Sequence, residues 1–362
     1  MGVTIRDVAR AAGVSTATVS RALRGLPHVD PQTRDTVIRV AGELDYVASA
    51  NASRLASGRQ GTVAVITPFV ARWFFATLLS GVSEVLQAHD VDLLVHQTSD
   101  PTATSGLPPA RRLRGRVDAL IVVALPTDAV SPLLDLGIPA SLVGATAPGV
   151  PSVAIDDVEA GAIATAHLIS LGHERIGLIS GDDPAPDSTP GRRRAEGYRR
   201  AMAEAGLAVD DRLRVDGAFT VEGGEAAMSA LLARPDRPTA VFALSDEMAF
   251  GAIRSLHRHG LRPGSDIGLI GVDGHDLAEL LDLSTVAQPV AEMGRAAAEQ
   301  VLARLRRPDG DPGRQAGRLR RPDGDPGSGA SSERPAAPSW QAPTHLVVRG
   351  STVPLERTVG MA

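Results

Sequence analysis

The sequence predicts an α/β body of two doubly wound lobes preceded by a small all-α unit. Three observations carry that prediction. The chain has 362 residues, more than one compact core usually supports, so several folding units are expected. From Thr62 onward, short β-rich apolar runs alternate with helix-like stretches, the pattern of parallel sheets covered on both faces. The first sixty residues instead show only helix punctuation, and their charge differs: eight arginines against five acids give +3, leaving −8 on the remainder of a chain whose net charge is −5. A basic head on an acidic body suits a polyanion-binding module attached to something else.

In the head, Thr4-Ile5-Arg6-Asp7 reads as a capping box opening a helix that runs to about Ala11. Gly13 supplies a tight turn, Ser15 a second N-cap, and Val19, Ala22 and Leu23 recur at helical spacing over 16–23. Asp30-Pro31 caps and opens a third helix with Val37, Val40, Ala41 and Leu44 on one face. Ile5, Val8, Ala9, Val14, Val19, Val37 and Leu44 are the expected core. A second helix presented in this way fits the major groove of DNA.

The run Thr4 to Arg21, T-I-R-D-V-A-R-A-A-G-V-S-T-A-T-V-S-R, resembles the start of the lactose/galactose-repressor family almost position for position. That resemblance places Thr16, Ala17 and Arg21 where family members read bases, and Ser15, Thr18 and Ser20 where they contact phosphates. Thr4 joins the DNA-binding set. Arginine grips guanine bidentately and short hydroxyls suit phosphate oxygens, which makes Arg21 the specificity candidate. Residues 46–60 match the family's hinge helix, which folds on operator DNA. There Asn51 and Ala52 lie on the DNA side, and Leu55 occupies the position of a minor-groove wedge. Ala48-Ser49 stand where the family usually has Pro-Asn, a departure that loosens the hinge entry.

In the body, strands are expected at 63–66, 92–95, 119–123, 140–143, 175–179, 240–244 and 267–272, with a last one at 345–348. Helices are expected at 75–88, 159–171, 192–205, 222–233 and 247–259. The body also resembles the family's sensor, which is periplasmic-binding-protein-like (type I). Leu171 to Ile176, Ser245 to Ala249, Ser284 to Val286 and Arg349 to Thr352 fall in the family's order. The implied divisions are a DNA-binding domain at 1–45, a hinge at 46–60 and a sensor at 61–362. Within the sensor, one lobe takes 61–154 and 286–303, and the other takes 155–285 and 343–362.

Ligands of such folds bind beyond the carboxyl ends of strands, between lobes. Phe69, Trp73, Phe74, Phe75, Asp100, Asp157, Arg194, Phe219, Ser245 and Asp273 meet that criterion. By resemblance Arg194 and Asp273 match the family's polar grips, and Phe74 and Phe75 its aromatic wall. A carboxylate and a guanidinium fork onto vicinal hydroxyls, and an aromatic face packs a sugar ring. The loop after the first strand departs from the family: it has Phe69, Arg72 and Trp73 where an acid and Asn-Pro are common. This predicts a more apolar pocket open to anions.

R-L-R-R-P-D-G-D-P-G at 304–313 recurs at 318–327. A tandem repeat of this composition is expected to form a flexible insertion spanning 304–342.

These readings exclude other classes. The chain has no cysteine, so disulfides and thiolate metal sites are absent, and its nine histidines lack metal-ligand spacing. There is no G-x-S-x-G elbow or phosphate-binding G-x-x-x-x-G-K-[ST] loop, so neither an enzyme nor a cofactor is expected. No apolar run approaches the roughly 18 residues of a membrane span, and no signal peptide precedes the head, which sets aside an exported transport protein. The expectation is a cytoplasmic transcriptional regulator, a homodimer on palindromic operator DNA, whose affinity a small-molecule effector adjusts. The tail after Arg349 lacks leucine heptads, so no coiled-coil tetramer is expected.

Overall fold

The structure, a computed structural model, describes residues 3–23, 27–46, 60–98, 107–181, 189–306 and 339–355. It divides into two compact units, one made chiefly of residues 1–61 and one holding the α/β body.

The first unit has three helices, α1 (Ile5–Ala12), α2 (Thr16–Leu23) and α3 (Pro31–Glu43). The Thr4 backbone N–H donates to Asp7 Oδ2 at 3.0 Å, and the Thr4 hydroxyl donates to the same oxygen at 2.7 Å. The expected cap is therefore carried by the acid, which also favours the positive end of the helix. Gly13 ends α1 at φ 67°, a left-handed conformation that glycine reaches without strain. Ser15 Oγ accepts the Thr18 N–H at 3.1 Å, and Asp30 Oδ2 accepts the Thr33 N–H at 3.1 Å. Val8, Ala9, Val19, Ala22, Val37, Val40 and Ala41 form the core, with Ile5, Val14 and Leu44 packed against it.

The body contains two six-stranded sheets. In chain order its elements open with β1 (Thr62–Thr67), α4 (Trp73–Gln87), β2 (Asp92–Gln97), α5 (Ala110–Leu113), β3 (Ala119–Val123), α6 (Thr127–Leu134), β4 (Ala140–Val143) and β5 (Ser152–Ala154). The chain then crosses to α7 (Asp157–Ser170), β6 (Ile176–Ser180), α8 (Pro190–Glu204), β7 (Arg214–Asp216), α9 (Val221–Leu232), β8 (Ala240–Ala243), α10 (Asp246–Arg258), β9 (Gly268–Asp273), α11 (Leu277–Leu280) and β10 (Ser284–Ala287). It returns through α12 (Val290–Arg306) and β11 (Trp340–Gln341), and crosses last into β12 (His345–Val347). The first sheet runs β11-β5-β4-β3-β1-β2 and the second β12-β10-β9-β8-β6-β7, giving three crossovers between lobes. Every pairing is parallel except β10 with β12. The central strands β3, β4, β6, β8 and β9 are buried along their whole length, as helices on both faces require.

The β-rich runs read from the sequence are strands, but β5, β7, β10 and β11 were not anticipated. β5, β7 and β11 are only two or three residues long, too short for a period to show. Three expected boundaries move. β10 belongs wholly to the second sheet, α12 continues to Arg306, and Trp340–Gln341 pairs in parallel with Val153 and Ala154. The segment expected as an insertion over 304–342 therefore contributes structure at both ends, where Leu305 is buried and where β11 finds a free sheet edge. Among the described residues, no helix is long and apolar enough to cross a membrane.

Candidate functional site

Two glycines set the polar centre of the cleft. A Cβ on Gly161 would lie 2.1 Å from the Arg194 carbonyl oxygen, and one on Gly197 would lie 2.0 Å from that of Val158. Helices α7 and α8 therefore touch backbone to backbone, and Arg194 comes beside Asp157 at the start of α7. Arg194 Nε donates to Asp157 Oδ1 at 2.9 Å, and its Nη1 donates to the Leu244 carbonyl at 2.7 Å and to Asp273 Oδ1 at 3.4 Å. All three ionisable groups are at least nine-tenths buried. Asp273 also accepts from Gln288 Nε2 at 2.8 Å, and its backbone sits at φ 135°, a conformation non-glycine residues rarely hold. Burial pushes the carboxyls of Asp157, Asp273 and nearby Asp246 above the usual range, with Arg194 pulling each back down.

Asp157, Arg194 and Asp273 all lie in the second lobe or at its entry, so their ion pairs do not bridge the cleft. Ser245 is buried, and its hydroxyl caps α10 by accepting the Met248 N–H at 3.3 Å. Phe219 takes a left-handed φ of 52°, and its ring closes on Gly181 at the end of β6.

The first lobe contributes the aromatic side. Phe69 and Phe75 meet edge to face at 5.6 Å, and Phe74 and Phe75 at 5.2 Å. The Arg72 guanidinium lies 3.6 Å from the centre of the Phe69 ring, and its charge is opposed by Glu247. Trp73 reaches across to the second lobe by three contacts. Its backbone N–H donates to Glu247 Oε1 at 3.2 Å, its indole N–H donates to Asp276 Oδ2 at 3.1 Å, and its ring stacks on His275 at 4.8 Å. His275 is held from behind by Phe250, edge to face at 4.9 Å, and its N–H donates to Asp246 Oδ2 at 2.8 Å.

Sequence reasoning missed His275, Asp276, Glu247 and Gln288: each lies shortly after a strand in sequence, but its partners Trp73 and Asp273 are met only in the folded chain. It also missed the hydroxyls of Thr98 and Ser180, which close β2 and β6. Both are buried and have no hydrogen-bond partner among the described residues. Asp100, a cleft candidate, and Asn51, Ala52 and Leu55, the hinge candidates, lie outside the described residues.

In the head, Ser15, Thr16, Ala17 and Arg21 are exposed at the start and along one face of α2, while Thr18 and Ser20 are half-buried and Thr4 lies exposed before α1. Val19 and Ala22 fix the opposite face against the core.

Comparison with known proteins agrees with both halves. Residues 4–49 match the bacterial regulatory proteins of the lacI family, and residues 165–323 match the periplasmic binding protein-like domain. Catabolite control protein A of Priestia megaterium is 34% identical over 304 residues, covering 82% of this chain and 91% of that protein. The chain belongs to the lacI family. It is a DNA-binding transcriptional regulator built on a helix-turn-helix head and a two-lobed sensor. Among solved structures, the regulator CelR in complex with cellobiose is 30% identical, with a TM-score of 0.65 over 96% of this chain and 99% of that one. The Lac repressor dimer bound to operator and the anti-inducer ONPF, at 22% identity and a TM-score of 0.78 over 98% and 100% of the two chains, shares the fold.

Proposed function

We propose that this lacI-family regulator is a cytoplasmic homodimeric repressor of palindromic operator DNA, and that a small polyhydroxylated metabolite bound between its lobes changes its operator affinity. The observation that carries the effector reading is the Arg194–Asp157–Asp273 cluster, buried at the ends of strands across from Phe69, Phe74 and Phe75. Alternating guanidinium and carboxylate groups match the donors and acceptors of vicinal hydroxyls, and an aromatic wall matches the apolar face of a sugar ring. The buried, unpartnered hydroxyls of Thr98 and Ser180 favour the same chemistry. Phe219 and Ser245 shape the second-lobe side of the cleft.

On DNA, Thr16, Ala17 and Arg21 read bases, Ser15, Thr18 and Ser20 hold phosphates, and the hinge segment bearing Asn51, Ala52 and Leu55 enters the minor groove. Two heads are needed because a palindrome presents the same half-site twice. Leu277, Leu280 and Leu281 are exposed on and beside α11, Leu280 at 79%. Exposed Val348 follows β12, the edge strand of the second sheet, whose neighbour β10 begins three residues after Leu281. We assign this apolar edge to the contact with the second copy.

The effector acts by population shift. It favours one lobe arrangement by its differential affinity, and the hinges of the dimer then fit the operator less well, as for an inducer. Thermal-shift screening of the full chain against sugars, nucleosides and small acids identifies the ligand, and operator fragments come from selection on a genomic pool. Asp273→Asn should then lose the effector's influence on operator binding while keeping operator affinity. A fully responsive variant would refute the cleft assignment.

A further inference from the structure

The body is acidic, yet the edge of its first lobe where the chain arrives from the head is rich in arginine. Strand β1 begins at Thr62, and its parallel neighbours begin beside it: Thr62 pairs with Asp92, Val63 with Ala119, and Leu120 with Ala140. This edge is opposite the cleft, which lies beyond the other ends of the same strands. Helix α5 and the turn after it deliver Arg111, Arg112, Arg114 and Arg116 to the start of β3, all four exposed. Among the described residues, none of these four guanidinium groups is paired with a carboxylate. Helix α12 runs the other way and brings its last turn to the same edge, where Arg304 Nη1 donates to the Ala140 carbonyl at 3.5 Å and Arg306 is exposed. In sequence, the acids next to these strand starts are Asp90 and Asp92 at β2, Asp118 before β3 and Asp135 before β4, four against six arginines. One of the four, Asp118, already accepts the amides of Gln60 at 2.8 Å and Gly61 at 2.6 Å.

The partner follows from connectivity. Residues 47–59 join the DNA-reading head to this edge, and even fully extended they span no more than about 45 Å. Whatever duplex the head grips is therefore held at high local concentration beside these arginines, and the attraction of guanidinium for phosphate does not depend on base sequence.

We propose that Arg111, Arg112 and Arg114, with Arg306, form a phosphate-binding collar that grips duplex DNA outside the bases read by the head. The collar adds affinity and salt dependence without sequence preference. It rests on the chain being a DNA-binding regulator, and its test separates the two claims.

The experiment uses the full chain and a random-sequence duplex of about 40 base pairs, four helical turns, followed by fluorescence anisotropy over a range of salt concentrations. Arg111, Arg112 and Arg114 are changed together to Gln, and Arg116 is kept because it neighbours the Asp118 contact with Gln60. A control variant changes Arg199, Arg237 and Arg262 of the second lobe to Gln, removing the same charge elsewhere. Each lost phosphate contact lowers the slope of log K against log salt by about 0.9, so the collar variant should lose about 2 to 3 per chain and bind about ten-fold or more weakly at low salt. The control should keep the wild-type slope. Equal slopes for wild type and collar variant, or equal losses in collar and control, would overturn the collar while leaving DNA binding intact. A wild-type chain with no salt-dependent duplex binding would instead overturn the reading on which the collar rests.

Discussion

Arg194→Ala tests the polar centre of the cleft most sharply. In the folded chain that guanidinium is hydrogen-bonded to Asp157 and the Leu244 carbonyl and ion-paired with Asp273, and all three residues are buried. Removing one partner of a buried pair leaves uncompensated charge and typically costs about 3–5 kcal/mol, here with two carboxylates stranded together. Against the roughly 5–15 kcal/mol that holds a folded domain together, this is a loss of a fifth or more, a fall in Tm of about 10 °C. The loss should also depend on pH. Burial already raises the carboxyls of Asp157 and Asp273, and losing Arg194 removes the strongest influence that draws them back. A carboxyl whose folded pKa lies above its unfolded value favours the folded state below the unfolded pKa. That contribution disappears as pH rises through the folded value. The stability deficit of the variant should therefore be small near pH 5 and widen towards pH 8, measured by thermal or urea unfolding. Adding Asp157→Asn and Asp273→Asn should recover most of it, because an amide needs no counter-charge. A deficit of constant size across that range, or one that the two amides leave untouched, would show that Arg194 contributes through packing and not through charge.

Trp73→Phe keeps a ring against His275 but removes the indole donor to Asp276. It should loosen the lobes by about 1 kcal/mol, visible as a larger radius of gyration in solution scattering, and unchanged dimensions would count against a bridging role for Trp73. Arg21→Ala should cost about 1–3 kcal/mol on the selected operator, and its penalty on random duplex should be far smaller. Equal penalties would make Arg21 a phosphate contact. Leu280→Glu places a charge in the exposed leucine edge and should shift the mass seen by light scattering towards a single chain. A dimer of undiminished stability would move the interface elsewhere.

Within the head, the sequence determined nearly everything. Its helices are short, each carries its own start and stop signals at Thr4, Gly13, Ser15 and Asp30, and its core residues recur at a helical period. Local chemistry alone therefore marks the elements, and the exposed face of α2 is the one Val19 and Ala22 leave free. In the body, the long apolar strands were legible because burial on both faces leaves an unbroken apolar run, as at Ala119–Val123. The resemblance to the lacI family supplied the two lobes and the positions of Arg194 and Asp273.

Only the tertiary structure decided the rest. The edge strand β11 forms because a sheet edge is open to it, and no period in Trp340–Gln341 announces that. Arg194 ends a run of three arginines, Arg192 to Arg194, and nothing within the run itself marks it as the buried one. Its burial follows from Gly161 and Gly197, more than thirty residues apart in sequence, which let two helix backbones meet. Trp73 with Asp276 and His275, and the arginines of α5 with the end of α12, are likewise pairings across long stretches of chain. A sequence states what each residue can do, but the folded chain decides which partner it meets.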